Sequence, residues 1–94
     1  MQSSYAVYWN EGSGVRASGR FVLEPDCARL VGRTSHGTRR RIQILFGDIA
    51  SVRYGSGRVR LERRAQPALE IGSVDGPGAL RELADRLQTA ALPV

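Results

Sequence analysis

A mainly β (α+β) fold closed by one C-terminal helix follows from three features of the sequence. Apolar and small residues alternate with polar ones from Val15 to Leu23. Turn residues recur at short intervals as far as Pro67, and after Asp75 the apolar period changes from 2 to 3.6. Strands first and helix last exclude a βαβ parallel sheet and predict a bent barrel or sandwich of about seven antiparallel strands. One domain spans residues 1–94, with the strands within 5–73 and the helix over about 77–91. A chain of this size buries roughly 60–68% of its unfolded surface, enough for one core without staples.

Tyr5-Ala6-Val7-Tyr8-Trp9 has strand composition, with Tyr5, Val7 and Trp9 on the core side and Tyr8 outside. Asn10 to Gly14 is a turn cluster. Val15, Ala17, Gly19, Phe21 and Leu23 then share one face, opposite Arg16, Ser18, Arg20, Val22 and Glu24; Gly19 marks a bend or bulge. Pro25-Asp26 turns the chain, Ala28 and Leu30 return to the core, and Gly32 to Arg40 reads as a polar, mobile loop. Ile42, Ile44 and Phe46 rebuild the inner face, and a bend at Gly47-Asp48, held by the Asp48 carboxylate, plants Ile49 and Val52 in the core. Gly55-Ser56-Gly57 is a hairpin turn, after which Val59, Leu61, Leu69 and Ile71 point inward.

Gly76-Pro77 opens the helix, where a proline at the first helical position costs no hydrogen bond. Leu80, Leu83, Ala84, Leu87 and Ala91 make its apolar stripe, Arg81–Asp85 and Glu82–Arg86 are spaced as pairs on the other side, and Leu92-Pro93-Val94 ends it.

The net charge is +5, and all fourteen basic residues are arginine. Residues 1–74 hold twelve of them against six carboxylates, whereas residues 75–94 hold two against three. Any electropositive face therefore belongs to the strands. The single Cys27 excludes an internal disulfide framework and suits a reducing compartment. No basic segment followed by an apolar one opens the chain, and no apolar run nears the roughly 20 residues of a membrane helix, so the expected location is cytoplasmic.

Gly19-x-Phe21-x-Leu23, Pro25-Asp26, Leu30, Gly32, Ile42-x-Ile44 and Asp48-Ile49-Ala50-Ser51-Val52, with the terminal helix, resemble the pleckstrin-homology-like (PH-like) superfamily, and within it the bacterial PH-like and GRAM-like domains. The resemblance covers essentially the whole chain. It implies a strongly bent antiparallel barrel plugged at one end by the helix, with an exposed sheet edge beside the helix where a peptide can add. Phosphoinositide-binding members carry a lysine near the end of the first strand; here that strand ends Tyr8-Trp9, and only Arg16 and Arg20 remain on the second.

Catalysis and metal binding find little support. One histidine and one cysteine do not make a metal-ligand set, and nothing in the spacing places a nucleophile beside His36 with an orienting acid. The glycine-rich stretches lack the strand–loop–helix setting of a phosphate loop. No enzyme activity and no small-molecule cofactor are expected.

Arginine forks suit phosphate and carboxylate oxygens, so the candidate anion-binding residues are Arg16, Arg20, Arg33, Arg39, Arg40 and Arg41. The sequence thus predicts a non-enzymatic binding module acting through protein contacts, with a protein partner or a second copy of itself in a homo-oligomer. The alternative is an anion binder for acidic lipid or nucleic acid backbone.

Overall fold

The alternating segments become strands in the computed structural model, which describes residues 4–12, 14–74 and 76–91. Among these residues seven strands form: β1 (Ser4–Glu11), β2 (Ala17–Leu23), β3 (Cys27–Thr34), β4 (Arg39–Leu45), β5 (Ile49–Gly55), β6 (Arg58–Arg63) and β7 (Leu69–Ser73). A single 3-10 turn, Phe46–Asp48, precedes β5, and helix α1 (Pro77–Ala91) follows β7. The expected helix stop at Leu92-Pro93-Val94 lies outside the described residues, as does Asp75.

All neighbours are antiparallel, in the order β4-β3-β2-β1-β7-β6-β5. Strands β4 and β5 are consecutive in sequence yet stand at opposite edges of the sheet. A three-residue turn joins those edges only if the sheet curls on itself, and the result is a half-barrel. Inside it lie Tyr5, Val7, Trp9, Phe21, Leu30, Ile44, Leu61, Leu69 and Ile71, all essentially inaccessible. Leu80, Leu83, Ala84 and Leu87 of α1 close the core against β5, β6, β7 and the 3-10 turn. Each buried leucine contributes about 2 kcal/mol, which far outweighs the few tenths available to surface pairs on the helix.

Strands β2 and β3 cross at a pair of glycines. Gly19 pairs with Gly32 without a register shift, so of the bend or bulge expected at Gly19 the bulge does not form. The backbones instead approach so closely that a Cβ on Gly19 would strike the Val31 carbonyl, and one on Gly32 the Ser18 carbonyl. The register shift falls between Ile49 and Ser51. Across the sheet, the Tyr8 ring covers the Cα of Gly72, where a Cβ would strike it.

Three local expectations need correction. Val15 is exposed, because β2 starts only at Ala17 and the residue before it lies outside the ladder. The segment Gly32–Arg40 is mostly strand: β3 runs to Thr34, β4 starts at Arg39, and the Thr34 hydroxyl accepts the amides of His36 and Thr38 to tighten the short turn between. Glu82 and Arg86 meet at a third residue, since the Tyr5 hydroxyl donates to Glu82 Oε2 at 3.0 Å and accepts from Arg86 at 3.1 Å. At the Asp48 bend, the Asp48 carbonyl accepts the Arg64 amide at 2.9 Å.

Candidate anion-binding face

Register determines which arginines meet. Three cross-strand rows run over the outer face of β1–β4: Tyr8, Ser18, Arg33 and Arg39; Ala6, Arg20, Val31 and Arg41; and Ser4, Val22, Arg29 and Gln43. Tyr5, Phe21, Leu30 and Ile42, which occupy the intervening row, point into the core. Arg33 and Arg39 therefore stand directly opposite each other, and Arg20 and Arg41 flank the exposed Val31. Arg16 joins them from the link before β2, with its guanidinium 4.7 Å from the centre of the Tyr8 ring. That stacking holds the side chain against the sheet and contributes on the order of 0.5–1 kcal/mol.

Six arginines occupy this face with one carboxylate, Glu24, which pairs with Arg29 at 3.3 Å. Arg20 donates to the Ser4 hydroxyl at 2.7 Å. Among the described residues, no carboxylate lies within ion-pair distance of Arg16, Arg20, Arg33, Arg39 or Arg41. Like charges about 5 Å apart at a water-exposed surface repel by less than about 1 kcal/mol. The fold tolerates the cluster at that cost, and an approaching anion would relieve it.

Arg40 leaves the predicted set. Its pairing with Gly32 turns it to the inner side of β4, where it donates to Glu11 Oε1 at 2.9 Å. Glu11 also takes Arg63 on its other oxygen at 2.7 Å. The Arg63 side chain is only 5% exposed and donates further to the Pro67 carbonyl at 2.7 and 3.1 Å. Neither Glu11 nor Arg63 stands out in the sequence. The available signal was parity, since Arg63 continues the inward alternation of Val59 and Leu61, and an inward arginine needs a carboxylate.

The outer face of β5–β7 is composed differently. Arg60, opposite Arg53, donates to Glu70 at 2.7 Å and to Glu62 at 3.3 Å, and these bonds raise its pKa above the ordinary arginine value. Arg64 donates to the Gly47 carbonyl.

An open crevice of about 580 Å³ runs along β4 between Arg39–Ile44 on one side and Ala65-Gln66 on the other, with Glu11, Arg63 and Asp48 at its margins. Cys27 and His36 do not approach each other: Cys27 starts β3 and His36 follows its end, a separation of roughly 25 Å by strand rise. Glu24, Asp26 and Cys27 place three potential ligand atoms within 4.8 Å of one another. Glu24 is already held by Arg29, and Cys27 is buried. No described helix is long and apolar enough to cross a membrane.

No protein-family model matches this chain, and no curated protein matches it significantly.

Proposed function

We propose that this chain is a non-enzymatic PH-like binding module that holds an anionic partner on the arginine face of β2–β4. The PH-like reading is supported by a half-barrel of seven described antiparallel strands followed by a single helix packed on β5–β7. The functional reading rests on one observation: Arg16, Arg20, Arg33, Arg39 and Arg41 share a face on which the sole carboxylate, among the described residues, is engaged elsewhere. Its expected setting is the cytoplasm.

The geometry favours an anionic partner over a second copy. Pairing two β4 edges would bring Arg39, Arg40 and Arg41 of each copy into one interface, where like charges oppose association. The test is a binding titration at rising salt against polyglutamate, an oligonucleotide and anionic vesicles. Binding to at least one, weakening steeply with salt and lost in the R33Q/R39Q/R41Q variant, supports the proposal. Absence of binding to all three at low salt refutes it.

A further inference from the structure

We infer that the open edge of β4 takes an extended acidic peptide as an eighth strand, a reading that rests on the anionic partner proposed above and specifies its class. The hydrogen-bond phase decides which backbone groups are available. The Thr34 amide bonds the Thr38 carbonyl at 2.9 Å, so the next pair, Arg33 and Arg39, belongs to the non-bonded kind. Alternation then turns the N–H and C=O groups of Arg39, Arg41, Gln43 and Leu45 away from β3, toward open space. Among the described residues, no side chain or further backbone group bonds those of Arg39, Arg41 and Gln43, whereas the Leu45 carbonyl starts the 3-10 turn Phe46–Asp48.

The opposite edge is occupied. The same counting from the Ser56-Gly57 turn places Val52 of β5 with its carbonyl outward, and there Gln88 of α1 donates to it at 2.9 Å. The helix lies along β5. The edge beside the helix, where the PH-like resemblance places peptide addition, is thus partly capped by the chain itself, and β4 is the bare edge.

Charge selects the occupant. A strand added to β4 places alternate side chains beside Arg39, Arg41 and Gln43 on the outer face, within reach of the arginine cluster. Its other side chains enter the crevice, where Ile42 and Ile44 line the wall and Arg40 and Arg63 are already matched with Glu11. The fitting sequence is therefore acid–apolar–acid–apolar over about seven residues, the length of β4. Main-chain bonds would supply affinity, and the alternation would supply specificity.

The experiment uses the full chain, an acetylated (Glu-Val)4 peptide, a second (Glu-Val)4 peptide N-methylated at every backbone amide, an oligonucleotide and anionic vesicles. Gln43→Pro removes one outward N–H without breaking any backbone bond to β3, so the variant retains all its arginines and its ladder and loses only the 3.8 Å contact from the Gln43 amide to Cys27 Sγ. The inference predicts salt-dependent binding of (Glu-Val)4, slowed amide exchange at Arg41, Gln43 and Leu45, and at least about tenfold weaker binding for both Gln43→Pro and the N-methylated peptide. Equal binding of the two peptides without amide protection overturns strand addition while leaving the arginine face intact. Binding of only the oligonucleotide or only the vesicles overturns the peptide assignment. A dimer in sedimentation with those amides protected makes a second copy the occupant and overturns it too. Absence of binding to every anion removes the parent reading along with it.

Discussion

The outer faces of the two halves of the sheet carry different balances of charge: Glu62 and Glu70 stand among Arg53, Arg58 and Arg60 on β5–β7, while Glu24 stands among six arginines on the β2–β4 side. On β5–β7, Arg60 sits between Glu62 and Glu70, and its charge is met within the sheet. On β2–β4, Arg33 faces Arg39 and Arg20 lies in the row of Arg41, with no carboxylate to meet them among the described residues. Exposed pairs such as Arg60–Glu70 are screened by water and contribute little to folding, so fold stability does not require the difference. It is a difference in available charge, and it points outward to a partner. Glu11 on β1 sits at the seam, since it holds Arg40 from one half and Arg63 from the other.

The halves also differ in backbone tolerance. Gly32→Ala drives a Cβ into the Ser18 carbonyl and should cost about 3 kcal/mol, whereas Gly55→Ala in β5 meets nothing within 4 Å and should stay within about 0.5 kcal/mol. Urea midpoints of the two variants compare them directly. A mild Gly32→Ala would mean that β2 and β3 relax easily and that the arginine rows are not rigidly placed.

Cutting the seam comes next in size. Glu11→Ala leaves the nearly buried Arg63 guanidinium without its carboxylate and should cost about 2 kcal/mol, below the range for fully buried pairs because Glu11 is itself 24% exposed. It also frees Arg40, so anion binding should strengthen as stability falls. Stability and affinity measured on one sample check both signs.

Tyr5 of β1 ties the sheet to the helix through Glu82 and Arg86. Burial raises its pKa above 10.0, with Glu82 adding to the rise and Arg86 opposing it. The neutral hydroxyl is therefore favoured in the folded state. That contribution is fully present below pH 10.0 and is lost as pH rises through the folded pKa. Tyr5→Phe should cost about 1 kcal/mol at neutral pH and flatten this alkaline loss, as thermal melts across pH 8–11 would show.

The smallest effect separates folding from binding. Arg39→Glu converts a repulsive cross-strand pair with Arg33 into an attractive one and should stabilise the fold by about 0.5 kcal/mol while weakening anion binding. A loss of stability in this variant would show that the cluster serves the fold.

Much of this architecture was legible in the sequence, because period and parity are local. The inward sets Tyr5-Val7-Trp9, Ile42-Ile44 and Val59-Leu61 are buried as their alternation requires, and the helix spans 77–91. Register was not legible. The strand pairing of Gly32–Arg40 was hidden by polar residues, although Gly37 at φ 84° is a hairpin signal. Without that pairing, Arg39, Arg40 and Arg41 look alike, yet strand alternation sends Arg40 inward to a glutamate 29 residues away. The candidate site is a product of pairing between strands, which composition does not encode.

The central claim is that the unmatched arginines of β2–β4, and not the overall charge of +5, attract the partner. Two variants of equal charge separate these: R33Q/R39Q/R41Q in the first half and R53Q/R58Q/R64Q in the second. Titrating both with (Glu-Val)4 over a range of salt concentrations should show about tenfold weaker binding and a shallower salt dependence for the first, and a change within about twofold for the second. Equal losses in the two variants, or none in the first, would contradict the account.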